Sequence, residues 1–467
     1  MTHEVAAPHV TRDLAAFVAA LRFEDLPAEV VAKAKTCVLD TIGCCLFGAS
    51  LPSVLMVAAI AAKEGGAGPA AVFGLPLATS ASQAALVNGT AAHAFQLDEI
   101  HLEATLHPGS VALPAAFALA DGLSSRAGRA LITALVAGYE VGLRIGIAAK
   151  APMFTRGFHN QGTTGVFAAA AAAASLLRLA PGQTQHALGI AGSQAAGLMA
   201  VQEGAMTKAF HSGRAAQSGV YAAKLAQRGY TGIPDVLEAP HGGFLSAFAG
   251  MGAEPQLTAD MGSHWETLRI GFKPAPASNG SITAMTAMDR IMRENGLSAA
   301  DVRDVTAFVS TNTLHHCGWE YDPSRVQGVL SAQMNLQYGV AVMALERAAG
   351  VDQFRADKLR DPRILEFITR VGVQVEPAFD AAGGKLRVAC RLVVRCRNGV
   401  RHEGEVLYRK GSPEDPMTAD ELDAKYLSLA GKSVDPGAAR QIAGIVLELD
   451  GIDCLREVSR LLTTPAA

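Results

Sequence analysis

Seven consecutive alanines, Ala168–Ala174, sit inside the apolar segment from Val166 to Leu177. Alanine is the strongest helix former and adds almost no bulk. A helix built this way must be buried by neighbours whose axes approach very closely. The same character recurs through the first half of the chain. Helical patterns run over Ser80–Ala91, Gly109–Gly122, Arg126–Lys150, Gly165–Leu177, Thr184–Leu198 and Gly213–Gln227, with interiors rich in Ala and Gly. In Thr184–Leu198, residues Gly189, Ser193 and Gly197 recur every four positions, predicting a smooth stripe for helix packing or a subunit contact. A membrane is the other home for such helices, and a span needs about 20 consecutive apolar residues. Val166–Leu177 is too short and is followed by Arg178, while Ala130–Ala149 is interrupted by Glu140 and Arg144. Buried helices of a soluble fold are the expectation, with no membrane partner.

Composition narrows the function classes. Half of the 467 residues are hydrophobic and 18% are charged, which excludes a disordered chain. With 40 Lys+Arg against 43 Asp+Glu the net charge is −3, leaving no field for nucleic acid. Met1-Thr2-His3-Glu4 has neither the basic nor the apolar region of a secretory leader. Seven cysteines without a CxxC pair read as reduced thiols, so a cytoplasmic location is expected and no structural zinc or iron–sulfur site. After about Trp265 the pattern changes. Val302–Thr311, Val371–Val375 and Lys385–Cys396 read as strands, and Asn398-Gly399 turns the last of them into Val400–Tyr408. Helical patterns at Ile282–Glu294 and Gln333–Arg347 lie between them, and helical character returns at Ala419–Leu429 and Pro436–Leu449. Arg387, Arg391, Arg395 and Arg397 read as a solvated sheet face, since no aromatics are interleaved for RNA stacking. The fold class expected is mainly α, with an α+β module inserted into a helical protein.

Common cofactor motifs are absent. There is no GxxxxGK[ST] and no HExxH, and Gly65-Gly66-Ala67-Gly68 lacks a flanking strand and helix. The chemistry therefore falls to side chains. The densest polar constellation is His93-Ala94-Phe95-Gln96-Leu97-Asp98-Glu99-Ile100-His101-Leu102-Glu103, followed by His107-Pro108-Gly109. Three histidines and three acids in an apolar chain are costly to bury unless paired or used. Acid–base catalysis, a metal site and bracing of helix ends all fit these residues. Downstream, His159 precedes Thr163 and Thr164, either of which suits a helix N-cap beside which an anion could sit. Lys208 and His211 precede another small-residue helix, and Lys273 stands at the entrance to the α+β module. Together these cations fit a pocket for a multiply charged carboxylate.

The chain resembles the MmgE/PrpD family of 2-methylcitrate dehydratases, cis-aconitate decarboxylases and iminodisuccinate epimerase. The resemblance rests on Val38-Leu39-Asp40-Thr41-Ile42-Gly43, Asn88-Gly89-Thr90-Ala91-Ala92-His93-Ala94 and His107-Pro108. It continues through Gly138-Tyr139-Glu140-Val141, Gly157-Phe158-His159, Ala187–Ser193, Lys208 with His211-Ser212-Gly213, Phe272-Lys273-Pro274, Tyr338 and Lys410-Gly411-Ser412-Pro413. It implies a large helical domain from both chain ends (1–266 and 412–467) and a smaller α+β lid domain (267–411), so two domains rather than the three that length allows. It also implies a homodimer without an obligatory cofactor or metal, and a small di- or tricarboxylate substrate. The family's pocket residues map onto Asp98, His107, His159, Lys208, Lys273 and, through a loop match, Tyr321. His107 and His159 are then candidate proton carriers, Asp98 an orienting group or base, Tyr321 a proton donor, and Lys208 and Lys273 substrate-binding cations.

Two departures stand out. Relatives usually carry Asp-Phe-Asp-Asp where this chain has Gln96-Leu97-Asp98-Glu99, so one acid is an amide. Past the lid lysine, Ser278 and Ile282 replace ionisable residues. Gln96 and Ser278 are accordingly placed among the substrate-binding candidates. The activity expected is that of a lyase acting by proton transfer beside a carboxylate, with epimerisation or a silent carboxylate-binding role as alternatives.

Overall fold

The computed structural model describes residues 9–463 except 121, 122, 124, 253, 254 and 325–327, and leaves aside the side chains of 150, 151, 203 and 255. The Met1–Glu4 stretch and the Gly122 end of one expected helix fall outside the described residues. The protein is mainly helical. Prolines open several helices, at Pro52–Glu64, Pro181–Gly192 and Pro436–Leu447, where the missing N–H costs nothing. Thr418 and Asp435 cap the late helices Ala419–Ala430 and Pro436–Leu447 through their side-chain oxygens.

The alanine run lies on the helix Gly165–Leu176, whose residues 168–174 are fully buried. It packs between the long helix Ala127–Thr155 and the helix Thr207–Gln227. Glycines set the spacing. A Cβ at Gly138 would lie 2.7 Å from the Ala168 carbonyl oxygen, and one at Gly219 would lie 2.5 Å from Ala169 Cβ. Between the helices Ala81–His93 and Thr207–Gln227, a Cβ at Gly89 would stand 2.9 Å from Gly213 Cα. Even a methyl does not fit at these glycines unless the neighbouring helix shifts. Part of Ala127–Thr155, the stretch Ala127–Ala149, is long and apolar enough to cross a membrane, but 89% of it is buried among other helices. Glu140 and Arg144 are buried within it as an i,i+4 pair, Nε to Oε2 3.3 Å. Glu140 also accepts from the Thr267 N–H and hydroxyl at 2.9 and 2.8 Å.

One expected helix is shorter than its pattern. Pro181–Gly192 ends before Gly197, which has φ +143° and leaves the helix, so Gly189, Ser193 and Gly197 do not share one face. Spacing of four describes a stripe only while the backbone stays helical. A small antiparallel ribbon, Ala70–Val72 with Leu77–Thr79, interrupts the otherwise helical first half and was not expected. Asn88 holds its edge, accepting from Phe73 N–H and donating to the Ala71 carbonyl, both at 2.9 Å.

The α+β part holds a four-stranded sheet in the order Val371–Val375, Val302–Val309, Cys390–Cys396, Arg401–Val406. The first pair is parallel and the others antiparallel. Cys390, Leu392, Val394 and Cys396 are buried, as their alternation requires. Gly399, at φ +85°, makes the expected hairpin turn. Of the arginines expected on the open face, Arg391 pairs with Glu376 and Glu403 and Arg395 with Asp304, but Arg387 precedes the strand and turns inward to bond Leu102 O and the Thr105 hydroxyl. The helices Asn279–Glu294 and Leu336–Glu346 cover the buried side.

Two apolar cores follow from this arrangement. One gathers residues from Val10 to Phe272 and again from Tyr426 to Leu462; the other gathers Ala275 to Val406 with a few residues from the helical part. The chain ends are tied together by a buried ion pair, Lys425 Nζ to Asp40 Oδ1 at 2.6 Å. The two crossings between the cores lie side by side, with Phe272 N–H donating to Gly411 O at 2.7 Å. Gly271 in turn pairs with Ile100, N to O 2.8 and 2.9 Å, so the crossing runs against the loop that carries the acidic cluster.

Candidate active site

Helix Ala81–His93 ends at His93, and the chain reverses through Gln96, whose φ of +60° is unusual for a side chain larger than glycine. The reversal sends Asp98 back towards His93. Bridges from Ile100 to Gly271 and from His101 to Leu106 then return the chain so that His107 arrives beside both, just before the helix Gly109–Ala120. A loop of modest length thus brings together three groups that no regular element would align.

Asp98 Oδ2 lies 2.8 Å from His93 Nδ1 and 3.2 Å from His107 Nδ1. Asp98 and His93 are fully buried and His107 is nearly so. Burial opposes ionisation of Asp98, yet the imidazoles converging on it hold its carboxyl well below the usual carboxylate range. Burial in turn keeps the imidazoles neutral: His93 is lowered to about 3, with Lys208 adding to the effect against the pull of Asp98, and His107 is lowered in the same way. The Asp98 carboxylate accepts from His93 Nδ1, and the Asp98 backbone carbonyl accepts from His107 Nδ1 at 3.3 Å, so both rings carry the proton on Nδ1 and keep Nε2 as the basic nitrogen. Gln161 sets the His107 backbone, accepting from its N–H and donating to its carbonyl, each at 3.1 Å.

Two lysines complete the group. Lys208, at the start of the helix Thr207–Gln227, donates to Gln96 Oε1 at 2.6 Å and lies 3.4 Å from His93 Nε2. Burial lowers it to about 8. Lys273 is 2% exposed and makes no side-chain hydrogen bond among the described residues. Burial lowers it to about 7, Asp98 pulls the other way, and Lys208 and Arg409 add to the lowering. His159 is buried beside this group, its ring centroid 6.0 Å from that of His93, and its Nδ1 lies 2.9 Å from His211 Nδ1. One of those two nitrogens carries the proton and the other accepts it. Asp98 Oδ1 has no partner.

His93, Asp98 and His107 also have the spacing of a metal site, their candidate ligand atoms lying within 4.8 Å of one another. Here both Nδ1 atoms lie within 3.2 Å of Asp98 Oδ2, and Lys208 Nζ stands 3.4 Å from His93 Nε2. The MmgE/PrpD N-terminal domain model matches residues 12–256 and the C-terminal domain model matches residues 276–451. The chain belongs to the MmgE/PrpD family. Across 99% of both chains it is 32% identical to a cis-aconitate decarboxylase-like protein of Aspergillus oryzae. It is 31% identical to a cis-aconitate decarboxylase of Aspergillus terreus, over 98% of this chain and 96% of that one. The human cis-aconitate decarboxylase is 25% identical over 98% of this chain and 95% of its own.

In this MmgE/PrpD chain, Asp98, His107, His159, Lys208, Lys273 and Gln96 come together as one cluster. Ser278 is placed differently: it caps the helix Asn279–Glu294, accepting from Ser281 N–H at 3.2 Å, with its hydroxyl 2.7 Å from that of Ser281. Tyr321 packs in the core of the α+β part, its ring 5.6 Å from Tyr338 and its hydroxyl donating to Leu359 O at 3.2 Å. Burial pushes that hydroxyl up to about 12, and it contacts none of the clustered groups. No anion seat forms at Thr163 or Thr164, whose hydroxyls donate back to the carbonyls of His159 and Asn160. His101 is structural, bridging Glu266 Oε2 at 3.0 Å and accepting from Ala104 N–H at 3.0 Å. Glu99 lies beneath the site. Burial raises its carboxyl well above the usual range, and the Thr41 hydroxyl donates to it at 3.1 Å.

His93, His211, Gln161 and His316 stand at or beside the cluster without being among the site candidates drawn from the sequence. His93 stood in the same string as Asp98, and His211 stands one helical turn from Lys208, so both had a signal. His316 had none. It reaches the site from the α+β part, where burial and the charges of Lys208, Arg387 and Lys273 lower it to about 4.

Proposed function

We propose that this chain is a lyase that removes CO₂ or water from a small di- or tricarboxylate of the cis-aconitate type. The observation that carries the reading is the pairing of two buried lysines with imidazoles gripped by one carboxylate. Buried cations whose charge is only partly compensated are poised for an anion, and substrate carboxylates would hold Lys208 and Lys273 protonated. Loss of CO₂ leaves an electron pair on the adjacent carbon, delocalised into a neighbouring carboxylate beside those ammonium groups. His107, with Nδ1 tied to Asp98, presents Nε2 to pass a proton to that carbon or take one from it. The His159–His211 pair, with His211 the less buried partner, supports proton exchange with solvent. The names of the relatives support decarboxylation of cis-aconitate over the other family chemistries.

The two apolar cores, and the adjacent crossings at Phe272 and Gly411, support a lid role for residues 267–411 over a helical body of 1–266 and 412–467. The family resemblance supports a homodimer and cofactor-independent chemistry; the seven free thiols support a reducing, cytoplasmic setting. The test is incubation with cis-aconitate, 2-methylcitrate, citrate and iminodisuccinate in deuterated water, read by mass. Loss of CO₂ or water is the expected result. Deuterium uptake without mass loss would replace the lyase by an epimerase, and ligand-induced thermal stabilisation without turnover would leave a carboxylate-binding protein.

A further inference from the structure

At the far end of the helical part, a cleft of about 480 Å³ is lined by Arg22, Arg126, Arg129 and Arg178 together with Phe23 and Glu24. Four arginines and one acid stand in its wall, and just outside it the Asp453 carboxylate accepts from the Arg126 backbone N–H at 2.9 Å. Glu24 is only loosely engaged, 3.5 Å from Arg129 Nη1. Arg129 also lies over the Phe23 ring at 4.9 Å and donates to the Asp450 carbonyl at 3.2 Å, and Arg22 donates to the carbonyls of Ala19 and Leu21. The side chains of Arg126 and Arg178 make no hydrogen bond or ion pair among the described residues.

The backbone singles out the same two residues. Arg126 precedes the helix Ala127–Thr155 at φ +52°, and Arg178 follows the helix Gly165–Leu176 at φ +53°. The left-handed region costs a residue with a side chain about 1 kcal/mol or more. A helix start favours Ser, Thr, Asp or Asn, and a left-handed helix end favours Gly. Both positions carry arginine instead, and both open onto one cleft. The site lies apart from the Asp98–Lys273 group: His159 and Thr164 precede the helix whose other end carries Arg178, a rise of about 18 Å over its length.

We propose that this cleft binds a small polyanion presenting two or more phosphate or carboxylate groups. Guanidinium forks match both oxyanions bidentately, and the volume falls in the range of small-molecule sites. The test is isothermal titration of the full chain with tripolyphosphate and, separately, with citrate. The protein carries Lys208→Met and Lys273→Met so that the catalytic group does not contribute. Saturable binding is expected, and whichever anion binds identifies the oxyanion. Arg126→Gly and Arg178→Gly together are expected to weaken it at least tenfold while keeping or raising the melting temperature, since glycine is at ease at both backbone positions. If that pair lowers the melting temperature, exposed Arg22→Gln serves instead, with at least a threefold loss expected. No saturable binding of either anion, or affinity unchanged within twofold in the folded variants, overturns the site.

Discussion

Asp98→Asn probes the centre of the site while barely changing its shape. In the parent, Oδ2 accepts from His93 Nδ1 at 2.8 Å and lies 3.2 Å from His107 Nδ1, which bonds to the Asp98 backbone carbonyl. The amide oxygen can keep both contacts, and its NH₂ takes the place of Oδ1, which has no partner. What disappears is the charge. A hydrogen bond to a charged group contributes about 1.5–3 kcal/mol against about 1 for a neutral one, so the weakened His93 bond loses about 0.5–2 kcal/mol. An imidazolium forming in the reaction also loses a full negative charge at contact distance, worth up to about 4 kcal/mol at an effective dielectric near 20. These terms overlap. A net loss of about 3–4 kcal/mol lowers kcat by roughly two to three orders of magnitude. The assay is CO₂ release from cis-aconitate by wild type and variant, beside a melting curve. Stability should hold within about 2 kcal/mol, because a buried charge is removed along with its bonds. A kcat within fivefold of wild type, with the fold intact, would refute the assignment of Asp98 as the group that holds and charges the imidazoles.

The depressed lysines give a signed pH dependence. Substrate carboxylates require protonated Lys208 and Lys273, whose values lie near 8 and 7, so KM should rise as pH climbs from 7 to 9, by up to about tenfold per unit for each lysine titrated. Lys273→Met should raise KM at pH 6.5 and flatten the first part of that rise; an unchanged slope would place the titrating group elsewhere. Stability should respond in the acid range. His93, His107, His159, His211 and His316 are all lowered in the folded state, so the unfolded chain takes up protons that the folded one refuses as pH falls below about 6.5. Each contributes a slope of up to about 1.4 kcal/mol per pH unit, and a melting temperature flat between pH 7 and 5 would contradict it. Gly138→Ala should destabilise by about 1–3 kcal/mol despite alanine's better helix propensity, because its methyl would meet Ala168 O at 2.7 Å and Ala172 Cβ at 2.9 Å. Denaturant midpoints measure this, and a stabilised variant would show that the crossing has slack.

How much of this was legible in the sequence depends on whether a feature is local or assembled. The alanine run announced close helix packing, and the alternation over Lys385–Cys396 with Asn398-Gly399 announced a hairpin, although the strand begins only at Cys390, because each pattern is read over a few neighbouring residues. The stripe from Gly189 to Gly197 misled, since its period continues in the sequence past the point where the backbone leaves the helix. Asn88 offered no local sign that it would bind a ribbon edge. At the site, Asp98 and His107 stood out as a dense polar string, but that string also held His101 and Glu99, which serve structure. Nothing in the spacing separates a histidine facing Asp98 from one facing Glu266, because the difference is made by the turn at Gln96 and by the bridge to Gly271.

That turn also accounts for the departure at position 96. An acid here would stand beside Lys208 and pair with it, holding the ammonium fully charged and occupied. The amide of Gln96 accepts one hydrogen bond from Lys208 at 2.6 Å without adding a negative charge. Lys208 is therefore held in place while its charge stays available to a substrate carboxylate, and burial can bring it down to about 8. Gln96→Glu should consequently raise the Lys208 value and weaken substrate binding through like-charge repulsion, with KM rising at least tenfold and kcat falling less. Gln96→Asn, too short to reach Lys208, should loosen the lysine without charging the site. If both variants changed KM equally, positioning alone would explain Gln96; a larger effect from the acid would assign it to charge.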